Sequence, residues 1–164
     1  MLTQYGVLPF FLREDGTLCF LLITSRGTGR WVVPRGGLIR GLGPVGSAER
    51  EAFEEAGITG VIAAEPVGRY SYLKWRKRRG DLPATVTLFP FQVVAQSRRW
   101  PERRQRDARW FSRERAIAAV DEPELKQIIA DFDPPPGSAS AAPLPVLAKR
   151  RMRWLSLVPD LVRR

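Results

Sequence analysis

Two apolar runs, residues 5–12 and 17–23, are separated only by Arg13-Glu14-Asp15-Gly16, and this arrangement constrains the chain more than any other feature. It reads as two strands joined by a turn. Trp31-Val32-Val33 is a short third β-type run stopped by Pro34, and Arg35-Gly36-Gly37 reads as a loop in which the chain turns sharply. Residues 61–73 and 84–95, rich in Val, Tyr, Phe and Thr, are the next strand candidates, with a basic loop between them, and residues 108–111 form a short last one. Between these lie three helix candidates. Ser47 is the expected N-cap and Gly57 the expected C-cap of the first; Ser112 and Asp121 open the others, at 113–120 and 122–132. Strands precede, separate and follow helices without regular alternation, so the expected fold is an α+β domain, layered α/β/α, with a mixed sheet between helices.

A chain of 164 residues, 44% of them hydrophobic, can bury one sizeable core and has little left for a second domain. The domain is expected to span residues 1–133. Residues 134–145 are Pro/Ala/Ser-rich and read as a linker, and residues 146–164 read either as a basic amphipathic helix or as a tail that packs back on the domain or on a second subunit. No stretch approaches the roughly 18 apolar residues needed to cross a bilayer. The first residues also lack a basic region leading into a long apolar one, so a cytoplasmic location is expected. The net charge of +10 divides evenly: residues 1–133 carry 21 Lys/Arg against 16 Asp/Glu, and residues 134–164 carry 6 against 1. Such a surplus favours polyanionic partners, whether phosphorylated metabolites, nucleic acid or an acidic membrane face, and charge alone does not choose among them.

The chain contains no histidine. That removes the commonest general base and zinc ligand, and the usual partner of a nucleophilic serine or cysteine. The lone Cys19, set among Leu18, Phe20, Leu21 and Leu22, reads as a small buried hydrophobe. Acid–base or metal chemistry must therefore rest on carboxylates, whose oxygens favour hard cations such as Mg²⁺, with Mn²⁺ as a substitute.

Carboxylates are concentrated on the first helix. In Ser47-Ala48-Glu49-Arg50-Glu51-Ala52-Phe53-Glu54-Glu55-Ala56-Gly57, the side chains of Glu51, Glu54 and Glu55 crowd into one arc, while Ala48, Ala52, Ala56 and Phe53 supply the packing side. Like charges at these spacings destabilise an isolated helix, and a divalent cation would remove the repulsion. Solvated glutamates on an ordinary exposed helix are the plain alternative. Context weighs against it: Pro34, the cation Arg35 and the Gly36-Gly37 turn lie just upstream, so backbone groups, a positive charge and carboxylates can converge on a phosphate–metal complex.

The window from Gly36 to Ile58 resembles a Nudix box, a pattern of Gly, five residues, Glu, seven residues, then Arg-Glu-aliphatic-any-Glu-Glu-any-Gly-aliphatic. Gly36, Arg50, Glu51, Glu54, Glu55, Gly57 and Ile58 match, with Ala52 as a small aliphatic; Leu42 stands where the first glutamate belongs. In the family that glutamate pairs with the box arginine, so Leu42 raises the question of how Arg50 is held. Trp31-Val32-Val33-Pro34, Trp100-Pro101-Glu102 and Arg109-Trp110-Phe111 are similar to the diphosphoinositol polyphosphate phosphohydrolase branch, extending the resemblance over residues 4–132. The resemblance implies Glu51 and Glu55 as metal ligands, a Gly36 carbonyl in the metal shell and Glu54 as proton acceptor. It places Ser25, Arg26, Arg35, Lys74, Arg78 and Arg106 near positions that contact substrate phosphates.

The expected function is thus Mg²⁺-dependent hydrolysis of a phosphoanhydride bond in a highly anionic substrate, an inositol pyrophosphate or a dinucleoside polyphosphate. Two alternatives stand beside it: a non-catalytic module binding a nucleotide or nucleic acid, and an RNA 5′-end pyrophosphohydrolase. Aromatic residues interleaved with the basic clusters at 74–79 and 98–106 suit stacking on bases as well as phosphate contacts. A homodimer is a further expectation, since paired sheets would cover apolar edge residues.

Overall fold

A computed structural model describes residues 1–139. Eight strands form one mixed sheet: β1 (Leu2–Leu12), β2 (Leu18–Thr24), β3 (Trp31–Val32), β4 (Arg35–Gly36), β5 (Ile58–Ile62), β6 (Gly68–Lys74), β7 (Leu82–Gln96) and β8 (Ala108–Ser112). The long strands β1 and β7 run parallel at its centre, from Leu2 opposite Ala84 to Phe10 opposite Gln92. β2 pairs antiparallel with the end of β1, and β3 and β8 pair antiparallel with β2. On the far side, β6 and then β5 pair antiparallel with successive halves of β7. Helix α1 (Gly43–Ala56) covers one face, and α2 (Arg113–Ala119) with α3 (Pro123–Asp131) covers the other.

The period-2 alternation of side chains explains why such continuously apolar strands fit here. Val7 and Phe11 on β1, Leu21 and Ile23 on β2, and Phe89, Phe91 and Val93 on β7 pack with Ala48, Ala52 and Ala56 of α1. Leu8 and Phe10, Leu18, Phe20 and Leu22, and Val86 and Leu88 point the other way, onto Ala116, Leu125, Ile129 and Phe132. Alanines on the buried side of α1 bring that helix close to the sheet, which sets the depth of the acidic side chains on its edge. Cys19 is buried in the first of these cores.

Several boundaries differ from expectation. Arg35-Gly36 is a two-residue strand paired with Tyr5 and Gly6 of β1, rather than a loop. The span 61–73 is two strands, broken between Ile62 and Gly68. Helix α1 starts at Gly43 with Pro44 in its first turn, where a missing N–H matters least. Ser47 is therefore inside the helix: its hydroxyl donates to the Gly43 carbonyl at 2.6 Å and accepts from the Ile39 N–H at 2.8 Å, tying the preceding loop to the helix. Gly57 ends α1 in the left-handed conformation as expected, and a side chain there would collide with the Trp100 indole. Ser112 caps α2 through the Arg115 N–H, whereas Asp121 does not cap α3 and pairs with Arg30 at 3.3 Å.

Among the described residues, no helix is long and apolar enough to cross a membrane. Residues 140–145 of the expected linker and the whole basic segment 146–164 lie outside the described residues.

Candidate active site

β6 supplies Tyr72 and Lys74, β4 supplies Arg35 and Gly36, and α1 supplies Glu51 and Glu55 to one open cleft of about 640 Å³. The loop after β2 adds Ser25, Arg26, Gly27, Thr28 and Arg30, with Gln4, Trp75 and Arg106 completing the walls. A cleft of this size accommodates a nucleotide-sized ligand. Of the residues anticipated from sequence, Ser25, Arg26, Arg35, Gly36, Glu51, Glu55, Lys74 and Arg106 converge here. Glu54 and Arg78 are not part of the lining. Arg78 sits in the turn after Lys74 with positive φ, and Glu54 lies at the exposed edge of α1, with Arg50 3.9 Å away. With Leu42 in place of the usual glutamate, the carboxylate nearest Arg50 is Glu54, an exposed neighbour one turn along the helix, and Leu42 occupies the N-cap without a side-chain hydrogen bond.

The acidic wall is tight. Arg35 N–H donates to Glu55 Oε2 at 3.4 Å, and a Cβ on Gly36 would overlap the Glu51 carboxyl group, so the missing side chain is what lets that carboxyl lie against the β4 backbone. Glu55 is only 7% exposed. Burial, with added repulsion from Glu51 and Glu102, pushes its pKa up to about 8 against the opposing pull of Arg106 and Arg35. Burial first, then the charges of Glu54 and Glu102, also raise Glu51. Among the described residues no three acidic, Cys or His side chains form a ready-made metal cage. What the site offers is two abutting carboxylates beside a glycine backbone, an all-oxygen donor set suited to a hard divalent cation, in an electrostatic state that such a cation would relieve.

Arg106 differs most from its anticipated role. Its guanidinium contacts Glu55 at 3.2 Å and Glu102 at 3.3 Å and donates to the Thr24 carbonyl at 3.1 Å, with the side chain 9% exposed. It is a buried tie between α1, β2 and the turn that carries Glu102, more than a free phosphate ligand. Ser25 is likewise occupied within its loop, sharing a hydrogen bond with Thr28 at 2.6 Å and accepting from the Arg30 N–H at 3.2 Å. Arg35 remains the cation of the floor. Its guanidinium lies 4.2 Å over the Tyr72 ring and donates to the Val33 carbonyl at 3.3 Å, while its Nε is buried without a partner. Tyr72 is fixed in turn by donating to Gln4 Oε1 at 2.5 Å.

Gln4, Tyr72 and Glu102 are the residues that sequence reading missed. Tyr72 follows Tyr70 at strand spacing and was readable only as a sheet residue. Glu102 and Arg106 are four residues apart and their pair is local, whereas nothing in Trp100-Pro101-Glu102 shows that Glu102 also reaches Arg26 at 3.0 Å. The contact is made by the fold, where the Glu102 N–H donates to the Glu54 carbonyl at 3.0 Å.

Comparison with known proteins places these features in context. A family model described as NUDIX domain matches residues 2–132. Nudix hydrolase 13, mitochondrial, of Arabidopsis thaliana is 28% identical over 77% of this chain and 71% of its own length. Diphosphoinositol polyphosphate phosphohydrolase 3-alpha of Mus musculus is 33% identical over 66% of this chain and 62% of its own. The chain spans from about half to seven-tenths of the length of the first curated relatives. Among solved structures, a C. elegans Ap4A hydrolase binary complex aligns with a TM-score of 0.59 at 20% identity, covering 79% of this chain and 93% of that one. A NUDIX hydrolase from Nitrosomonas europaea aligns with a TM-score of 0.59 at 23% identity, covering 79% and 86%. At these identities the structural likeness speaks for the fold.

Proposed function

This chain belongs to the NUDIX domain family, and from that premise we propose that it is a divalent-metal-dependent hydrolase cleaving a phosphoanhydride bond in an anionic substrate, of the inositol pyrophosphate or dinucleoside polyphosphate kind. The observation that carries the proposal is the pair Glu51 and Glu55 lining one cleft with Arg35, the Arg35 N–H on Glu55 and Gly36 against Glu51, with burial pushing both carboxyls toward protonation. Retaining two such carboxylates has an electrostatic cost that a purely structural helix edge would avoid.

In this reading Glu51, Glu55 and the Gly36 carbonyl would hold Mg²⁺, with Mn²⁺ as a substitute. Bound there, the ion supplies positive charge to the phosphate oxygens and to the attacking water. Arg35, immobilised on Tyr72, adds fixed positive charge at the cleft floor, and Lys74 and Arg26 add charge at the rim. Glu54, close enough to Glu51 to raise its pKa yet outside the wall, takes the proton from water. A cytoplasmic location belongs to the same proposal. So does a homodimer, favoured by exposed Val61 on β5 and Val94 on β7 and tested by sedimentation, where a monomer at high concentration would exclude it.

The Glu55–Arg106 contact favours a second reading, a non-catalytic binding module in which an arginine already neutralises the acidic wall. A phosphate-release screen over inositol pyrophosphates, dinucleoside polyphosphates, nucleoside triphosphates and 5′-triphosphorylated RNA, with and without Mg²⁺, separates the two. Metal-dependent release from any of them supports the hydrolase; binding without release across the panel supports the module.

A further inference from the structure

Glu122 is a buried carboxylate that the hydrolytic chemistry does not use. It is 6% exposed at the N-cap of α3, yet its side chain makes no capping hydrogen bond to that helix. It turns instead to Arg30, whose Nη1 lies 2.9 Å from Oε1, while among the described residues Oε2 has no partner. Burying a carboxylate with one oxygen unsatisfied is a costly way to stabilise a fold, and what distinguishes it here is the element that it holds. Arg30 closes the loop between β2 and β3. Its carbonyl accepts from the Ser25 N–H at 2.8 Å, its N–H donates to Ser25 Oγ at 3.2 Å, and its side chain lines the cleft. The front of the same loop is drawn the other way, by Arg26 to Glu102 at 3.0 Å. The loop is thus strung between the acidic side of the cleft and α3.

Two residues further on, Glu124 makes the matching contact to the neighbouring wall. Its Oε1 accepts from the Ser71 N–H of β6 at 2.9 Å. Ile128, one turn along α3, packs so closely on the same strand that a Cβ on Gly68 would come within 2.8 Å of its Cδ1. Among the described residues β6 pairs only with β7, so α3 supplies its remaining support. The strand carries Tyr72 and Lys74 into the cleft, and just beyond it the Trp75 indole lies against Gly27, where the loop and the β6 wall meet. Neither Glu122 nor Glu124 lines the cleft itself.

Building on the hydrolase reading, we infer that Glu122 and Glu124 are positioning residues. The start of α3 is a bracket that fixes the loop of Arg26 and Arg30 against the β6 wall of Tyr72 and Lys74, and so sets how tightly an anionic substrate is held without touching it.

Amide hydrogen exchange on the full chain reads the bracket directly. Glu124→Ala should speed exchange of the Ser71 amide by about tenfold or more, and Glu122→Gln should speed the Ser25 and Gly29 amides, with the α1 amides unchanged. Glu124→Gln keeps an acceptor oxygen and should restore most of the Ser71 protection. Unaltered exchange at these amides would overturn the inference, as would equal acceleration throughout the sheet, the mark of a general loss of stability. A second arm needs no turnover: calorimetric affinity for inorganic tripolyphosphate in chelator should fall about fivefold in Glu122→Gln, and no further when Glu122→Gln is added to Arg30→Gln, since the acid acts through the arginine. Additive losses, undiminished affinity in Glu122→Gln, or no binding by the wild type would also overturn it. On any substrate found in the phosphate-release screen, Glu122→Gln should raise KM about fivefold with kcat within about twofold of wild type; a fall confined to kcat would count against the bracket. If no phosphoanhydride is cleaved at all, the hydrolase reading fails, and exchange with tripolyphosphate binding still decides the role of Glu122 and Glu124.

Discussion

The two walls of the cleft are built on opposite physical principles. The acidic wall is a helix edge pressed against β4, where Glu51 and Glu55 are partly or fully removed from water and kept close together. The basic wall is exposed: the Arg26 side chain, on the loop after β2, is 59% exposed, and Lys74 ends β6 as an exposed residue. Exposed arginines and lysines cost the fold little, so their presence discriminates weakly among functions. Buried, mutually repelling carboxylates work against folding, and a divalent cation of the kind proposed for this wall would relieve that cost.

That contrast is broken most severely by removing charge from the acidic wall. Glu51→Gln and Glu55→Gln are each expected to lower kcat by about a thousandfold or more, and Glu54→Gln by about a hundredfold with KM little changed, as loss of metal neutralisation and of a proton acceptor imply. Steady-state phosphate release on any substrate found in the screen measures this; variants within threefold of wild type would remove the acidic wall from the mechanism.

A smaller effect sharpens the comparison through stability. Because the folded state raises the Glu55 pKa from 4.5 to about 8, the folded protein binds more protons than the unfolded chain between those values. The proton-linked stability is therefore full below about pH 4.5 and is lost as pH rises toward 8, with Glu51 acting in the same direction. In chelator, denaturant titration should show stability falling by on the order of a few kcal/mol across that range, and Glu55→Gln should flatten the fall. Metal-free stability that rises from pH 5 to 8 in the wild type would contradict the burial of a repelling pair.

The smallest effects belong to the basic wall. Arg26→Ala or Lys74→Ala should each raise KM by less than about tenfold, with the increase shrinking as salt rises, since exposed charges are screened. A kcat loss comparable to the glutamate variants would show that the two walls do not divide the work in this way.

The features legible in the sequence are those set by local constraints. Hydrophobic alternation gave the central strands, Gly57 declared the end of α1 through its conformational freedom, and the spacing of the glutamates announced a charged helix edge. At about 100° per residue, Glu51 and Glu55 are about 40° apart and share the cleft, whereas Glu54 is about 100° from Glu55, which puts it on the rim. Ser47 misled because Pro44 can start a helix one turn earlier, leaving the serine hydroxyl to bond inside it. The two residues of β4 carry no periodicity and form a strand only because β1 lies alongside. The charge of Arg106 is visible in the sequence, and so is Glu102 four residues before it, whereas Glu55, the other carboxylate it meets, comes from a helix brought there by the fold.

The central claim is that Glu51, Glu55 and Gly36 gather a divalent cation, and calorimetric titration of the full-length protein with Mg²⁺ or Mn²⁺ near pH 7, in buffers of different ionisation enthalpy, tests it most directly. With Glu55 largely protonated beforehand, binding should release close to one proton, weaken by about 10- to 100-fold in Gly36→Ala as the new methyl displaces the Glu51 carboxyl, and vanish in Glu55→Gln. Undetectable binding in the wild type, or equal binding in Glu55→Gln, would contradict the claim and leave the acidic wall as the partner of Arg106 alone.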